Sequence, residues 1–343
     1  MKVILITPFS EFSKGGISTH IRNFKKHFIF KGIDCQVYVL SNNRFKAFIE
    51  IIRLVLSNSD IIHVHSSFFA VFCLSALKPF STSNYCFTFH TQPNNSSSQK
   101  SSYLKYYLLN FLLNKYFNIT TVSGSILNNF ASIFGLNIQK FQVIHSGVDF
   151  ENPSNYKITT HSNSIKIISI GLFEWDWKVQ GHLLALKAFK KLQDNFANIS
   201  FHLIGSGSKE YLIQNEISKL NLTKSVHIFN NISNVKDLLV NADIYLHTGL
   251  NEGCSLSILE ARSFNLCTIV VDSGGNKDLI QNNINGILCD PNFYSIYESL
   301  KNVILDLDTL NRLKKDSILG IHEFMWENII EKYKCFYLNV LNE

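Results

Sequence analysis

Two doubly wound α/β domains are the fold class this sequence predicts, on three observations. Short apolar runs recur along the whole chain, separated by amphipathic stretches of helical length. That alternation belongs to parallel sheets covered by helices on both faces. The segment Glu151–Ser164, ENPSNYKITTHSNS, interrupts it: polar, aperiodic and containing Pro153, it reads as a linker. The chain has 343 residues, 46% of them hydrophobic, enough for two cores at about 150 residues per domain. The expected domains are therefore 1–150 and 165–325, with 151–164 as linker and a closing segment 326–343.

The elements follow in order. Lys2–Thr7 is the first strand, ended by Pro8; Gly15-Gly16-Ile17-Ser18 then opens an amphipathic helix to about Lys31. Strands recur at Cys35–Leu40, Asp60–His65, Tyr85–Phe89, Ile119–Val122 and Phe141–Ile144. Asn94–Ser102, NNSSSQKSS, is a loop inside the first domain. Beyond the linker, strands are expected at Ile165–Gly171, Ile199–Ile204, Val226–Phe229, Asp243–His247 and Cys267–Val271. The clearest helices between them are Gly181–Gln193 and Ser255–Phe264.

Composition excludes several classes. The hydrophobic fraction is too high for a disordered chain, and 5 prolines exclude a collagen-like one. No apolar run reaches the roughly 18 residues of a spanning helix. The opening MKVILITPFSEF lacks the long apolar core of a secretory signal, so the expected location is the cytoplasm. The 7 cysteines are scattered without Cys-x-x-Cys spacing and read as free thiols.

Charge is uneven. Residues 1–150 carry 14 Lys+Arg against 5 Asp+Glu, while residues 151–343 carry 18 against 21. A basic first half suits an anionic partner. No zinc-finger spacing, RNA-binding signature or dense basic run accompanies it, so nucleic acid is not expected. Arg44–Leu56 and Lys100–Phe117 are amphipathic and basic, a pattern shared by core-facing helices and by helices lying on anionic membranes.

The chemistry-bearing candidates cluster after strands. In open parallel sheets ligands bind at the carboxyl ends of strands, and helix N-termini favour phosphate. Gly15 and Gly16 hold such a place, and so do Gly205 and Gly207, where backbone could approach a ligand. His63 and His65 alternate on one strand, so both face one side; two imidazoles could bind a metal, but no third ligand of matching spacing is visible. His90 ends its strand and is a stronger candidate. Lys178, after a strand and before the helix expected at Gly181, suits a diphosphate. Glu252 and Glu260 flank Gly253-Cys254-Ser255-Leu256, a strand–loop–helix setting in which backbone N–H groups suit an anion and carboxylates suit sugar hydroxyls. Asp306-Leu-Asp308 is read as a solvated helical face.

These residues resemble glycosyltransferase family 4, retaining enzymes of the two-domain GT-B fold, over nearly the whole chain. Gly15-Gly16-Ile17-Ser18-Thr19-His20 resembles the family's glycine-rich loop. Asp60-Ile-Ile-His-Val-His65 and Phe87-Thr-Phe-His90 resemble two of its strands, and Val143-Ile-His-Ser-Gly-Val-Asp149 its pre-linker motif. The most specific element is Glu252-x₇-Glu260 followed by Asp272-Ser-Gly-Gly275; Trp326 resembles the tryptophan of a closing helix that crosses back to the first domain.

The resemblance implies two domains facing each other across a cleft, with a nucleotide-diphosphate sugar bound mostly to the second. It implies that Glu260 holds the ribose and that Glu252, with the backbone of Gly253, Cys254, Ser255 and Leu256, holds the transferred sugar. Lys178 would neutralise the diphosphate, helped by Gly16, and His90 would sit at the sugar. No metal or other cofactor is implied. The implied acceptor is a glycan or lipid-linked glycan of a surface-polysaccharide precursor, met at the inner membrane face through the basic first domain. This chain has Gly171-Leu172 where the family usually has Gly-Arg, which leaves Lys178 with no clear partner. Two other functions share the fold: a nucleotide-sugar epimerase, and a scaffold that has lost turnover.

Overall fold

The computed structural model describes residues 1–10, 13, 15–92, 100–134, 141–149, 153, 156, 164–230, 232 and 234–343. The expected linker and the loop Asn94–Ser102 lie mostly outside these. The chain divides into two compact units, Met1–Gly147 with Glu323–Glu343, and Val148–His322.

In the first unit, β1 (Lys2–Thr7), α1 (Gly16–Phe30), β2 (Asp34–Val39), α2 (Arg44–Val55), β3 (Ile61–His65) and α3 (Phe68–Leu77) alternate. They are followed by β4 (Asn84–Phe89), α4 (Lys100–Tyr116), β5 (Phe117–Thr121), α5 (Gly124–Phe134) and β6 (Phe141–Val143). The sheet order is β2-β1-β3-β4-β5-β6, every pairing parallel. Central strands buried on both faces favour continuous apolar runs, which β1 supplies and β3 supplies except at buried His63 and His65: Val3, Leu5 and Ile61 lie in the core with Phe24 and Phe28 of α1.

The second unit runs β7 (Ile165–Ile170), α6 (Asp176–Gln193), β8 (Ile199–Ile204), α7 (Glu210–Lys219), β9 (Val226–Phe229) and α8 (Lys236–Leu239). It continues with β10 (Ile244–His247), α9 (Leu256–Ser263), β11 (Cys267–Val271), β12 (Ile287–Cys289), α10 (Phe293–Leu305) and α11 (Leu307–Asp316). The order is β12-β11-β10-β7-β8-β9, again all parallel. Its core joins Phe189 of α6 and Phe201 of β8 to Ile269 of β11 and Leu300 of α10.

The closing helix α12 (Trp326–Asn342) belongs to the first unit. Its apolar stripe Trp326, Ile329, Ile330, Tyr333, Phe336, Tyr337 and Val340 packs into the first core. Gly147 makes room for it, because a Cβ there would lie 2.5 Å from the Trp326 ring.

Two local expectations are corrected, and one strand is added. α6 begins at Asp176 rather than Gly181, with extended Trp175 as N-cap and the Asp176 carboxylate in the first turn, where the helix dipole favours it. Gly181 is thus a helix-interior glycine, normally a poor choice; a Cβ there would stand 1.9 Å from the Thr248 carbonyl oxygen. Asp306 is the N-cap of α11, accepting from the Thr309 backbone N–H, rather than part of a helical face. β12, at 3 residues, is too short for a pattern to reveal. All 7 cysteines are free, and among the described residues no helix is long and apolar enough to cross a membrane.

Candidate functional site

In the second sheet the strand order reverses between β7 and β10. Ligands of open α/β sheets bind beside such a switch point, at the carboxyl ends of the strands. A small cavity lies there, walled by Ser169 of β7 and Gly171 just after it, Lys178 and His182 of α6, and His247 at the end of β10 with Thr248, Gly249 and Glu252 after it. Lys178 stands in the first turn of α6, not in a loop before it. Its Nζ is 2.9 Å from Glu252 Oε1, the two side chains being 21% and 16% exposed, and lies 5.7 Å from the Trp175 ring centroid. The absent arginine therefore does not leave Lys178 unpartnered: Glu252 partners it. An ion pair withdrawn this far from water is held by its mutual attraction, and removing one member strands the other charge.

The loop bearing Glu252 is fixed from behind. Asn251 takes a left-handed φ of 54°, and its backbone N–H donates to Ser273 Oγ at 3.0 Å. The Gly275 N–H donates to the Glu252 carbonyl at 2.8 Å, and Asn276 Nδ2 donates to the Gly249 carbonyl at 3.0 Å. Gly274 has φ +62°, and a Cβ there would meet the Glu252 carbonyl oxygen at 2.3 Å. The glycine pair after β11 thus serves as a cradle for the Glu252 loop.

Gly253, Cys254, Ser255 and Leu256 lead into α9. Ser255 is the N-cap but makes no side-chain cap; its Oγ lies 3.0 Å from Ser257 Oγ instead. The first-turn N–H groups thus lack the usual side-chain acceptor, a setting that suits an anion. Glu260 follows one turn on, half-buried. Both acids act on buried Tyr245, whose hydroxyl proton is held first by desolvation and further by the charges of Glu260 and Glu252. α9 is anchored by Arg262, which donates from Nε to the Ser317 carbonyl at 2.8 Å, from Nη1 to Leu279 at 2.7 Å and from Nη2 to Leu319 at 2.7 Å. Gly205 lies at the same end of the sheet, and what it approaches is protein: a Cβ there would sit 1.9 Å from the Gly171 carbonyl oxygen.

The remaining candidates are in the first unit, whose own switch point falls between β1 and β3. Gly15 caps α1 with φ 138°, which side chains rarely adopt, and Gly16 has open space where a Cβ would be. His90 is 7% exposed, with Nε2 2.8 Å from His65 Nδ1. His63 is paired with Tyr337 Oη and Thr88 Oγ1, and His20 Nδ1 lies 3.1 Å from Ser146 Oγ. Burial drives all four imidazoles toward the neutral form, His63 and His90 to about 3 and His20 and His65 well below the usual value. Ligand nitrogens of His20, His65 and His90 lie within 4.8 Å of one another, so the fold supplies the partners that spacing did not. The bond between His65 and His90 uses one nitrogen of each ring, while His20 Nε2 and His65 Nε2 have no hydrogen-bond partner among the described residues.

The sequence reading missed His182, His247 and Thr248. The available signal was a polar residue ending the strand beside the switch point, the rule that singled out His90.

The model for glycosyl transferases group 1 matches residues 155–318, and that for glycosyltransferase family 4 matches residues 41–152. A phosphatidylinositol N-acetylglucosaminyltransferase subunit of Homo sapiens is 26% identical over 281 residues, 81% of this chain. The chain spans 57% of that relative's length. The UDP-Gal:alpha-D-GlcNAc-diphosphoundecaprenol alpha-1,3-galactosyltransferase of Escherichia coli is 25% identical over 314 residues, 86% of this chain and 80% of the relative. A solved glycosyltransferase from Rickettsia africae superposes with a TM-score of 0.82 at 20% identity, covering 99% of this chain and 98% of that one.

Proposed function

The chain belongs to glycosyltransferase family 4 and has the GT-B fold, two doubly wound α/β units; on that premise we propose that it transfers a sugar, with retention, from a nucleotide-diphosphate sugar to a lipid-linked glycan acceptor of a surface polysaccharide. The observation that carries this reading is the meeting of Lys178 and Glu252 at the switch point of the second sheet. A cation and a hydroxyl-binding carboxylate side by side are what a sugar joined to a diphosphate requires.

In this reading Lys178 exchanges Glu252 for the diphosphate, and Glu252 turns to the transferred sugar. The α9 N-terminus from Gly253 to Leu256 takes phosphate oxygens, and Glu260 takes the ribose hydroxyls. Gly205 shapes the nucleotide end by packing on Gly171, and Gly15, Gly16 and His90 are what the first unit would contribute to transfer. Same-face attack needs no protein nucleophile, the departing phosphate accepting the proton of the acceptor hydroxyl. Positive charge from Lys178 and helix dipoles does the work a divalent cation does elsewhere, so no metal is required. Both relatives are named for lipid-bearing acceptors, and the second for a UDP-sugar donor, which supports a lipid-linked acceptor and a uridine nucleotide in this reading.

The reading is tested by nucleotide release from a sugar nucleotide, with acceptor or by slow hydrolysis. Glu260→Ala is expected to raise the donor KM at least tenfold, and His90→Ala mainly to lower kcat. Interconversion of free sugar nucleotides without acceptor would mean an epimerase instead. EDTA should leave the rate unchanged; a loss restored by zinc would assign the His20, His65 and His90 cluster a metal and overturn the metal-free mechanism.

Peripheral membrane contact, from a cytoplasmic location, is part of the same proposal. Exposed Phe45, Phe48 and Leu56 stand among exposed Arg44, Lys46 and Arg53 on and beside α2, the composition of a helix that lies on anionic lipid. Binding to phosphatidylglycerol vesicles should fall as salt rises from 50 to 500 mM, a range over which the Debye length shortens about threefold; binding indifferent to salt contradicts it.

A further inference from the structure

Three residues that line the cavity at the β7–β10 switch point each carry a buried polar atom without a hydrogen-bond partner among the described residues: His182 Nδ1, His247 Nε2 and Thr248 Oγ1. Their residues are no more than 5% exposed. An unsatisfied polar atom at that depth costs about 1–3 kcal/mol, so three around one cavity point to a ligand that satisfies them.

For His247 the hydrogen-bond network specifies which ligand group. Its Nδ1 lies 3.1 Å from Tyr245 Oη, and the Tyr245 hydroxyl donates to Ser257 Oγ at 2.7 Å. A phenol has one proton. With that proton directed at Ser257, the Tyr245 oxygen accepts from His247, so the ring proton sits on Nδ1 and Nε2 is a bare lone pair. Burial lowers the imidazole's proton affinity, Glu252 opposes this and Lys178 adds to it, bringing the pKa to about 4. At neutral pH Nε2 therefore only accepts. A phosphate oxygen, itself an acceptor, gains nothing there; a hydroxyl does. Glu252 reaches the same point: a Cβ on Gly249 would lie 2.8 Å from His247 Nε2 and 2.7 Å from Glu252 Oε1.

We propose that His247 Nε2 accepts a hydrogen bond from a hydroxyl of the transferred sugar, beside Glu252, and so helps determine which sugar is used. Tyr245 is its positioning residue, holding the tautomer. The proposal rests on the sugar-nucleotide reading above and adds that the sugar, not the nucleotide, is what His247 senses.

The experiment compares calorimetric affinities of UDP, UDP-galactose and UDP-N-acetylglucosamine for the wild-type chain and for His247→Ala, His247→Gln and Tyr245→Phe. His247→Ala is expected to weaken the preferred sugar nucleotide about tenfold while leaving UDP within about twofold, the effect of one lost hydrogen bond. His247→Gln, which keeps an acceptor near Nε2, should recover most of the loss and serves as the folding control. Tyr245→Phe should cost the sugar nucleotide a few-fold and UDP nothing. The loss should be the same at pH 6.5 and pH 8. Parallel losses of UDP and sugar nucleotide, no loss in either, or a loss that grows as the pH falls would each overturn the proposal; the last would mean an imidazolium on the phosphate. A wild-type chain that binds no nucleotide would instead defeat the donor reading itself, and this proposal with it.

Discussion

Stability of the first unit is expected to fall steeply as the pH drops from 6.5 toward 5. His20, His63, His65 and His90 are buried and neutral in the fold, all with depressed proton affinities. In the unfolded chain each takes up a proton near pH 6.5. Above that value neither state is protonated and the histidines contribute nothing to the pH dependence. Below it the unfolded state binds more protons and gains, until the folded pKa is reached, about 3 for His63 and His90. The slope is up to about 1.4 kcal/mol per pH unit for each imidazole. Four together reach about 5 kcal/mol per unit, comparable with the whole stability of a typical domain. His182 and His247 add the same sign in the second unit, with folded values of about 3 and about 4. The carboxylates of Glu174, Asp306 and Glu331, held low mainly by hydrogen bonds, act in a separate, more acidic window. Urea titrations at pH 7.5, 6.5 and 5.5 should show the midpoint nearly constant over the first interval and collapsing over the second; a flat profile to pH 5 would mean that the imidazoles are protonated in the fold.

Replacing Arg262 with methionine is the single substitution expected to cost the second unit most, about 3–5 kcal/mol. The side chain is 1% exposed, yet burial lowers its pKa only to about 10, so it remains a cation. It has carbonyls for partners: Ser317, Leu279 and Leu319 each accept one of its N–H groups. Ser317 and Leu319 follow the end of α11, where carbonyls lack helical partners and a cation is favoured. Methionine would fill the space and leave these oxygens buried with fewer donors. Arg312→Met, on a side chain 47% exposed, is the control and should cost under about 0.5 kcal/mol. The comparison is made by chemical denaturation. If the two variants behave alike, the Arg262 network is not what holds α9, and with it Glu260, in place.

What could be read from the sequence follows the reach of each physical signal. Apolar runs flanked by helical periodicity located every long strand, because a strand buried on both faces is mostly apolar; in β3 the buried His63 and His65 are accommodated by hydrogen bonds. Lys178, Glu252 and Glu260 were legible because they sit where strands end and helices begin. Their mutual arrangement was not: the Lys178–Glu252 pair joins α6 to the β10 loop, and no local pattern encodes it. The start of α6 was missed because Gly181 looks like a helix boundary; only the Thr248 carbonyl packed against it shows why glycine stands inside the helix. Arg262 reads as an ordinary surface residue, since nothing nearby in sequence announces the carbonyls of residues 279, 317 and 319. The imidazole cluster was half visible, His63 and His65 by alternation, while His20 and His90 join through strand order and helix docking.

Calorimetric titration of UDP, GDP and ADP into the purified chain and into Glu260→Ala tests the central claim most directly. A nucleotide-sugar site on the second unit predicts saturable one-to-one binding of one nucleotide in preference to the others, weakened at least tenfold in the variant. A folded wild-type chain that binds none of the three, or binds one with undiminished affinity after Glu260→Ala, would contradict it.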